Sequence, residues 1–329
     1  MNRVPLPTRS LVPGLPAELS PLIFHHLDAV DLALVRRTNS TWDEYVCAIL
    51  HRRVYVLISP HVGDYDALAA RLLAAGVVIG GFAALHILYP TNPSPPYLEL
   101  FVPDGADEPL VTYLVAEEGF TVVPRRTQWD VEDEGPGTTV ASGPLDCVDA
   151  LAGPVGSATD HVPVPDNRTW GPGVRSVTVL IKQGFRVYII LSASSPLLPL
   201  TAEWHSALFN YVGPVDFCSA YPRLTSTRRA LLNPIHLVDW GVVPEGLQEV
   251  ESSWRVAGWE LSADWLPWSG DVQCRGPASS GCAAAQRYFG DRFSASGPVT
   301  GVRGRRPEEQ RAMEDMPTAY WSGRMVECL

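Results

Sequence analysis

Val77-Val-Ile-Gly-Gly-Phe-Ala-Ala-Leu-His-Ile-Leu-Tyr-Pro90, a gap interrupted by Pro93, Pro95 and Pro96, and then Tyr97-Leu-Glu-Leu-Phe-Val102 form the stretch whose reading decides the fold. Gly80 and Gly81 read as a short turn feeding a helix, because a glycine pair lets backbone amides come close to another group. The prolines break the chain into a loop, and Tyr97 to Val102 reads as a strand with one acidic residue, Glu99. Carboxylates that alternate along one strand face can share a metal ion, whereas a lone one cannot hold two. Taken alone, Glu99 reads as an exposed strand residue.

The surrounding composition limits what such a stretch can serve. The chain has 329 residues, 46% hydrophobic and 19% charged, enough for one sizeable core and a small accessory domain. Its net charge of −11 is concentrated in residues 103–160, which hold twelve acidic residues against Arg125 and Arg126. The remainder is close to neutral, which argues against a surface built to neutralise nucleic-acid phosphates. Lys182 is the single lysine beside 24 arginines, a coding bias rather than a chemical signal. Cys47, Cys147, Cys218, Cys274, Cys282 and Cys328 are too scattered for a disulfide framework and fit a reducing, intracellular compartment, cytoplasmic or nuclear. The N-terminus shows no apolar signal core, and the apolar run from Leu72 to Leu88 falls short of the ~20 residues of a membrane span. No membrane partner is expected.

Upstream, Leu19, Ile23 and Leu27 recur at four-residue spacing on a first short helix. Asp28 is placed to cap a second, with Leu32 and Val35 inward, and Thr38 and Asn39 separate it from a third. In the third, Trp42, Tyr45, Val46, Ile49 and Leu50 fall at helical spacing. Val54 to Ile58 is an apolar run that opens the next unit, followed by a helix over residues 64–75. Downstream, a helix near residues 108–118, a strand near 119–123, and two strands, 174–181 and 186–192, around a hairpin turn complete an alternating pattern. Residues 130–173, rich in Gly, Pro, Asp and Glu, read as a flexible acidic insertion. Leu200 to Val212 reads as a helix with Trp204, Leu208 and Tyr211 on one face, and residues 241–329 as an irregular, Trp-rich region packed on the core.

Leu15, Pro16, Glu18, Leu19, Ile23, Leu27, Asp31, Leu32, Leu34 and Trp42 resemble an F-box, a three-helix module that docks onto the Skp-type adaptor of a cullin-based ubiquitin ligase. The resemblance covers about residues 11–52 and implies a docking surface formed or supported by Leu15, Pro16, Leu19, Ile23, Leu27 and Trp42. Residues 53–240 resemble a nucleotidyltransferase-like domain found behind F-boxes in many fungal proteins. The likeness rests on Leu57-Ile-Ser-Pro60, Val78 to Leu85, Leu98 to Val102, Trp204-His-Ser206 with Asn210, and Ala220 to Thr225, with Cys282, Arg287, Phe289, Gly290 and Asp291 as a C-terminal piece.

In active members of that family a Gly-Ser turn precedes two carboxylates one residue apart, and a later strand adds a third. Here Gly81 keeps the glycine, Phe82 stands in place of the serine, Tyr97 in place of the first carboxylate, and Glu99 keeps the second. Residues 174–192 contain no Asp or Glu to supply the third. The resemblance therefore implies a vestigial site at Gly81, Phe82, Tyr97 and Glu99, with no catalytic residue, no metal and no cofactor.

The expected architecture is α+β with an α/β core: three F-box-like helices, then a mixed sheet flanked by helices. The leading expectation is a non-enzymatic adaptor for an unknown target protein. One alternative is a magnesium-dependent nucleotidyltransferase drawing on Glu99 and loop acids such as Asp130, Glu132 or Asp133. Another is a ligand-binding pseudoenzyme whose N-terminal helices are only a cap. His25 and His26 are adjacent and diverge, and Cys274 and Cys282 lack nearby partners for zinc. For His205, read as lying on a helix with Ser206 and Asn210, the resemblance implies a fixed hydrogen bond that supports the sheet.

Overall fold

The computed structural model describes residues 19–123, 173–237, 242–243, 245–263, 266–268, 286–299 and 320–322. The acidic stretch from Asp130 to Pro172, including Glu132 and Asp133, lies outside these residues, as do Leu15, Pro16, Cys274 and Cys282.

Three helices open the described chain: α1 (Leu19–His25), α2 (Ala29–Val35) and α3 (Ser40–Ile58). Asp28 accepts hydrogen bonds from the amides of Val30 and Asp31 at the start of α2, and Asn39 accepts from the amide of Trp42 at the start of α3. These short polar side chains satisfy donors that the first helical turn cannot pair internally. The third helix does not end near residue 52. Leu50, Arg53, Leu57 and Ile58 continue the inward stripe for two more turns, so the apolar run from Val54 to Ile58 is helix rather than the start of a new unit.

After α4 (Tyr65–Ala74), capped by Asp64, come β1 (Val78–Ile79), α5 (Gly81–Leu88) and β2 (Tyr97–Val102), then α6 (Asp107–Ala116) and β3 (Thr121–Val122). The chain resumes in β4 (Val174–Lys182) and β5 (Phe185–Ser192). Gln183 and Gly184, both at positive φ, make the two-residue turn between them. Next follow β6 (Asn210–Val212), β7 (Asp216–Ser219), α7 (Pro222–Ser226), β8 (Arg229–Leu231), α8 (Glu245–Val256) and β9 (Glu260–Ser262). The last strands are β10 (Gln286–Tyr288), β11 (Ala295–Pro298) and β12 (Tyr320–Ser322).

Eight strands form one sheet in the order β11-β7-β6-β1-β2-β5-β4-β3. The β2–β5 pair is parallel and its other neighbouring pairs are antiparallel, so the architecture is α+β with a mixed sheet. Every residue of β2 is buried, which places that strand at the sheet centre with both faces covered.

Leu200 to Val212 is not a helix. Two 3-10 turns, Pro199–Ala202 and Ser206–Leu208, lead directly into β6, and His205 between them is extended, bridging to Leu232. Residues 202–212 are all buried, so the spacing of the large apolar ones marks no single face. Local polar bonds fix the irregular path: Asn210 Nδ2 donates to Ala207 O at 2.6 Å, and Ser206 Oγ accepts from Leu231 N at 2.9 Å.

The N-terminal helices share one core with the sheet. Phe24, Leu32, Tyr45, Val46, Ile49 and Leu50 belong to the same buried cluster as Ile79, Leu85, Leu98 and Leu100. Arg53, 6% exposed, fastens the parts together. Its guanidinium donates to the carbonyls of Phe24 (3.2 Å), His25 (3.0 Å) and Leu27 (2.6 Å) at the end of α1, and to Ile87 (2.9 Å) in α5. On the other side of α3, Arg36 pairs with Asp43 at 2.5 Å, and its guanidinium lies so close to Gly297 of β11 that a Cβ there would overlap it.

Candidate functional site

Two regions stand out: the glycine turn between β1 and α5, and the outer face of α1 and α2. At the turn, the Glu99 side chain points inward. The residue is 1% exposed, and its Oε2 accepts the amide of Phe82 at 3.1 Å, in the first turn of α5. This corrects the expectation of an exposed strand residue. Because both faces of β2 are buried, a carboxyl in mid-strand must find a donor inside the protein, and the unpaired amides at a helix N-terminus supply one.

The glycines serve that closure. Gly81 has φ +55°, and a Cβ on it would overlap the Glu99 carboxyl. At Gly80 a Cβ would overlap the Phe101 ring and Leu200. The space that an external anion would need at this turn is filled by the protein's own carboxyl and by packed side chains. Beside Glu99 in the parallel register of β5 stands Tyr188, whose ring meets that of Tyr97 edge-on at 5.6 Å. The Tyr97 ring in turn meets Phe82 at 6.0 Å, and Phe82 meets Trp254 at 5.1 Å. The four residues read as a vestigial site, Gly81, Phe82, Tyr97 and Glu99, are thus brought together, with Glu99 inward and the two aromatic rings on the wall of a neighbouring cavity.

Other acidic groups have structural partners. Glu118 accepts from the amides of Gly63 (2.5 Å) and Asp64 (3.2 Å) and from the Tyr113 hydroxyl (2.7 Å), tying the end of α6 to the start of α4. Burial alone would raise its carboxyl, but these donors and Lys182 outweigh burial and hold it below the usual carboxylate range. Asp216, at the start of β7, is pushed up to about 6 by burial, against the opposing bond from the Tyr211 hydroxyl at 2.9 Å. Asp291 forms a buried ion pair with Arg287, which also donates to Ala220 O at 2.7 Å, so the motif around Arg287 anchors β10 to the chain entering α7. Burial pushes the Cys218 thiol up to about 12, as expected of an inert core cysteine. Among the described residues, no three His, Cys, Asp or Glu side chains gather where they could hold a metal.

The second region is opposite in character. Leu19, Leu22 and Ile23 of α1 are 42%, 62% and 49% exposed, and Leu34 of α2 is 58% exposed. Leu19, Leu22 and Ile23 lie at i, i+3 and i+4, on one face. Leu27 and Trp42 lie partly buried against the core, and Trp42 packs on Phe24 at 5.1 Å between ring centroids. They support the helices from beneath rather than sharing the exposed face. Leu22 escaped the sequence reading, although its i+3 spacing from Leu19 was the available signal.

An F-box-like family model matches residues 12–57. The match spans α1, α2 and nearly all of α3, so the extended α3 belongs to the matched segment. The N-terminal segment is F-box-like, which assigns it in general terms to protein–protein interaction of the ubiquitin-ligase-adaptor kind. No curated protein and no solved structure matches the chain. Among the described residues, no helix is long and apolar enough to cross a membrane.

Proposed function

We propose that this chain is a non-enzymatic adaptor whose α1–α2 face docks a Skp-type adaptor of a cullin ligase, and whose sheet domain presents or supports recognition of a target protein. The observation that carries this reading is the row of exposed apolar residues on helices that match the F-box-like model. Large apolar side chains gathered on one exposed helix face suit contact with a partner.

The sheet domain is read as a degenerate nucleotidyltransferase-like module. Supporting this is the inward position of Glu99, which occupies the turn where a nucleotide phosphate would need free amides. A magnesium-dependent transferase reading requires Glu99 to turn outward and gather further carboxylates. Calorimetry with magnesium and a nucleoside triphosphate, on the native chain and on Glu99→Gln, separates the readings: saturable binding lost in the variant would restore the transferase.

The reading of the helices as a cap also has a specific observation in its favour, since Arg53 and the shared core join them to the sheet. The cap and docking roles are compatible, because the joined face is the inner one and the apolar row faces outward. The docking test is co-purification of the full chain with a Skp-type adaptor. Native protein is expected to retain the adaptor, and Leu22→Glu with Ile23→Glu to lose it while keeping its circular dichroism. Absence of capture by the native chain, or capture unchanged in the variant, overturns the proposal.

A further inference from the structure

Beside the closed glycine turn lies a cavity of about 570 Å³, within the range of small-molecule sites. Its walls are the Phe82, Tyr97, Trp254 and Trp259 side chains, the proline-rich loop of residues 91–96, and the turn after α8. Four aromatic side chains around one space could serve either of two chemistries. They could surround an organic cation by cation–π attraction, or sandwich a planar ring.

The charge at the rim decides between them. Among the described residues lining the cavity, Arg228 is the one charged side chain and none is a carboxylate. A cation entering there would meet a like charge, whereas an acid would meet a planar guanidinium suited to carboxylate. This arginine is also held in place. Its backbone sits at φ +54°, a conformation unfavourable for a side chain with a Cβ, and Glu260 N donates to its carbonyl at 2.8 Å. Its guanidinium donates to Ala257 O at 3.0 Å, anchored to the turn that forms one wall. Trp254, 1% exposed, backs the wall from within the core.

We infer that this cavity binds a planar aromatic acid, its ring packed among Phe82, Tyr97, Trp254 and Trp259 and its acidic group at Arg228. The site is independent of the docking face on α1 and α2, and its function does not require Glu99. It makes the sheet domain a small-molecule receptor.

The test is calorimetric titration of the full chain with three probes of similar size: 2-naphthoate, neutral 2-naphthylmethanol and cationic 2-naphthylmethylammonium. Saturable 1:1 binding is expected in the order acid, alcohol, cation, with the acid at least tenfold ahead of the cation. Arg228→Gln is expected to weaken naphthoate about tenfold while changing the alcohol less than twofold, and Arg228→Lys to recover part of the loss. Should Arg228→Gln fail to fold, Val256→Glu carries the same test. Val256 is 86% exposed at the rim, and a carboxylate there is expected to weaken naphthoate severalfold without affecting the alcohol. Absence of saturable binding, equal or tighter binding of the cation, or naphthoate affinity unchanged in the variant that folds would each overturn the inference.

Discussion

The glycine turn and the outer face of α1 and α2 invert the ordinary distribution of side chains in opposite ways. At the turn a carboxyl is buried in the centre of the sheet; on the helices leucines and an isoleucine face solvent. The first inversion is resolved within the chain, because the Phe82 amide and the space left by Gly81 accommodate Glu99. The second has no such resolution among the described residues. A buried polar group with its own donor indicates structure, whereas an apolar row left open indicates a partner. Under the docking proposal, the site-like sequence motif is the structural element and the ordinary-looking helix the functional one.

Substitutions that break this contrast are expected to differ widely in effect. The largest concerns the joint between the regions. Arg53→Leu leaves four carbonyls without their donor and should cost about 4 kcal/mol, judged from the penalty for orphaned buried partners. Urea unfolding followed by Trp fluorescence checks this. If the helices and the sheet form one unit, native protein unfolds in a single transition, and a loss under 1 kcal/mol in the variant would mean the joint is not structural. Next, Gly81→Ala imposes both a strained φ and an overlap with Glu99, and is expected to cost about 3 kcal/mol.

A smaller effect distinguishes the buried carboxyls by pH. Glu118 lies below its ordinary value in the folded chain, so its contribution to stability is present above the unfolded value near 4.5 and disappears as pH falls through the folded one. Asp216 behaves in reverse. Its folded value of about 6 exceeds the unfolded 3.8, so the native state holds the extra proton between these values, and stability declines as pH rises across that window. Thermal melts from pH 3 to 7 should show Glu118→Gln flattening the acid limb and Asp216→Asn flattening the decline between about 4 and 6. Smallest of all for stability, Leu22→Glu with Ile23→Glu should change unfolding free energy by under about 0.5 kcal/mol, since both side chains already face water.

The sequence made parts of both regions legible. The strand Tyr97–Val102, the hairpin at Gln183 and Gly184, and the cap Asp28 each follow from local chemistry that tertiary packing did not override. The inward turn of Glu99 was harder to read, because alternation suggests an exposed face whenever one polar residue interrupts an apolar strand. Leu98, Leu100 and Phe101 occupy both faces of β2, and this was the signal that neither face is wet. The extension of α3 was also encoded: Val46, Leu50, Arg53 and Leu57 keep helical spacing, but the continuous apolar run from Val54 to Ile58 masks that period and reads as the opening of a new unit. Between Trp204 and Val212 burial on every side removes the contrast that periodicity needs, and the path is set by Ser206 and Asn210 side-chain bonds with no sequence signature. The aromatic cavity could not be read at all, since Phe82, Arg228 and Trp254 meet only through the tertiary fold.

Amide hydrogen exchange on the full chain tests the contrast most directly, measured alone, with a Skp-type adaptor, and with magnesium and a nucleoside triphosphate. The account predicts that the adaptor slows exchange in α1 and α2 at least tenfold and that the triphosphate leaves Val78–Tyr89 unchanged. Protection of Val78–Tyr89 by the triphosphate, with α1 and α2 indifferent to the adaptor, would contradict it.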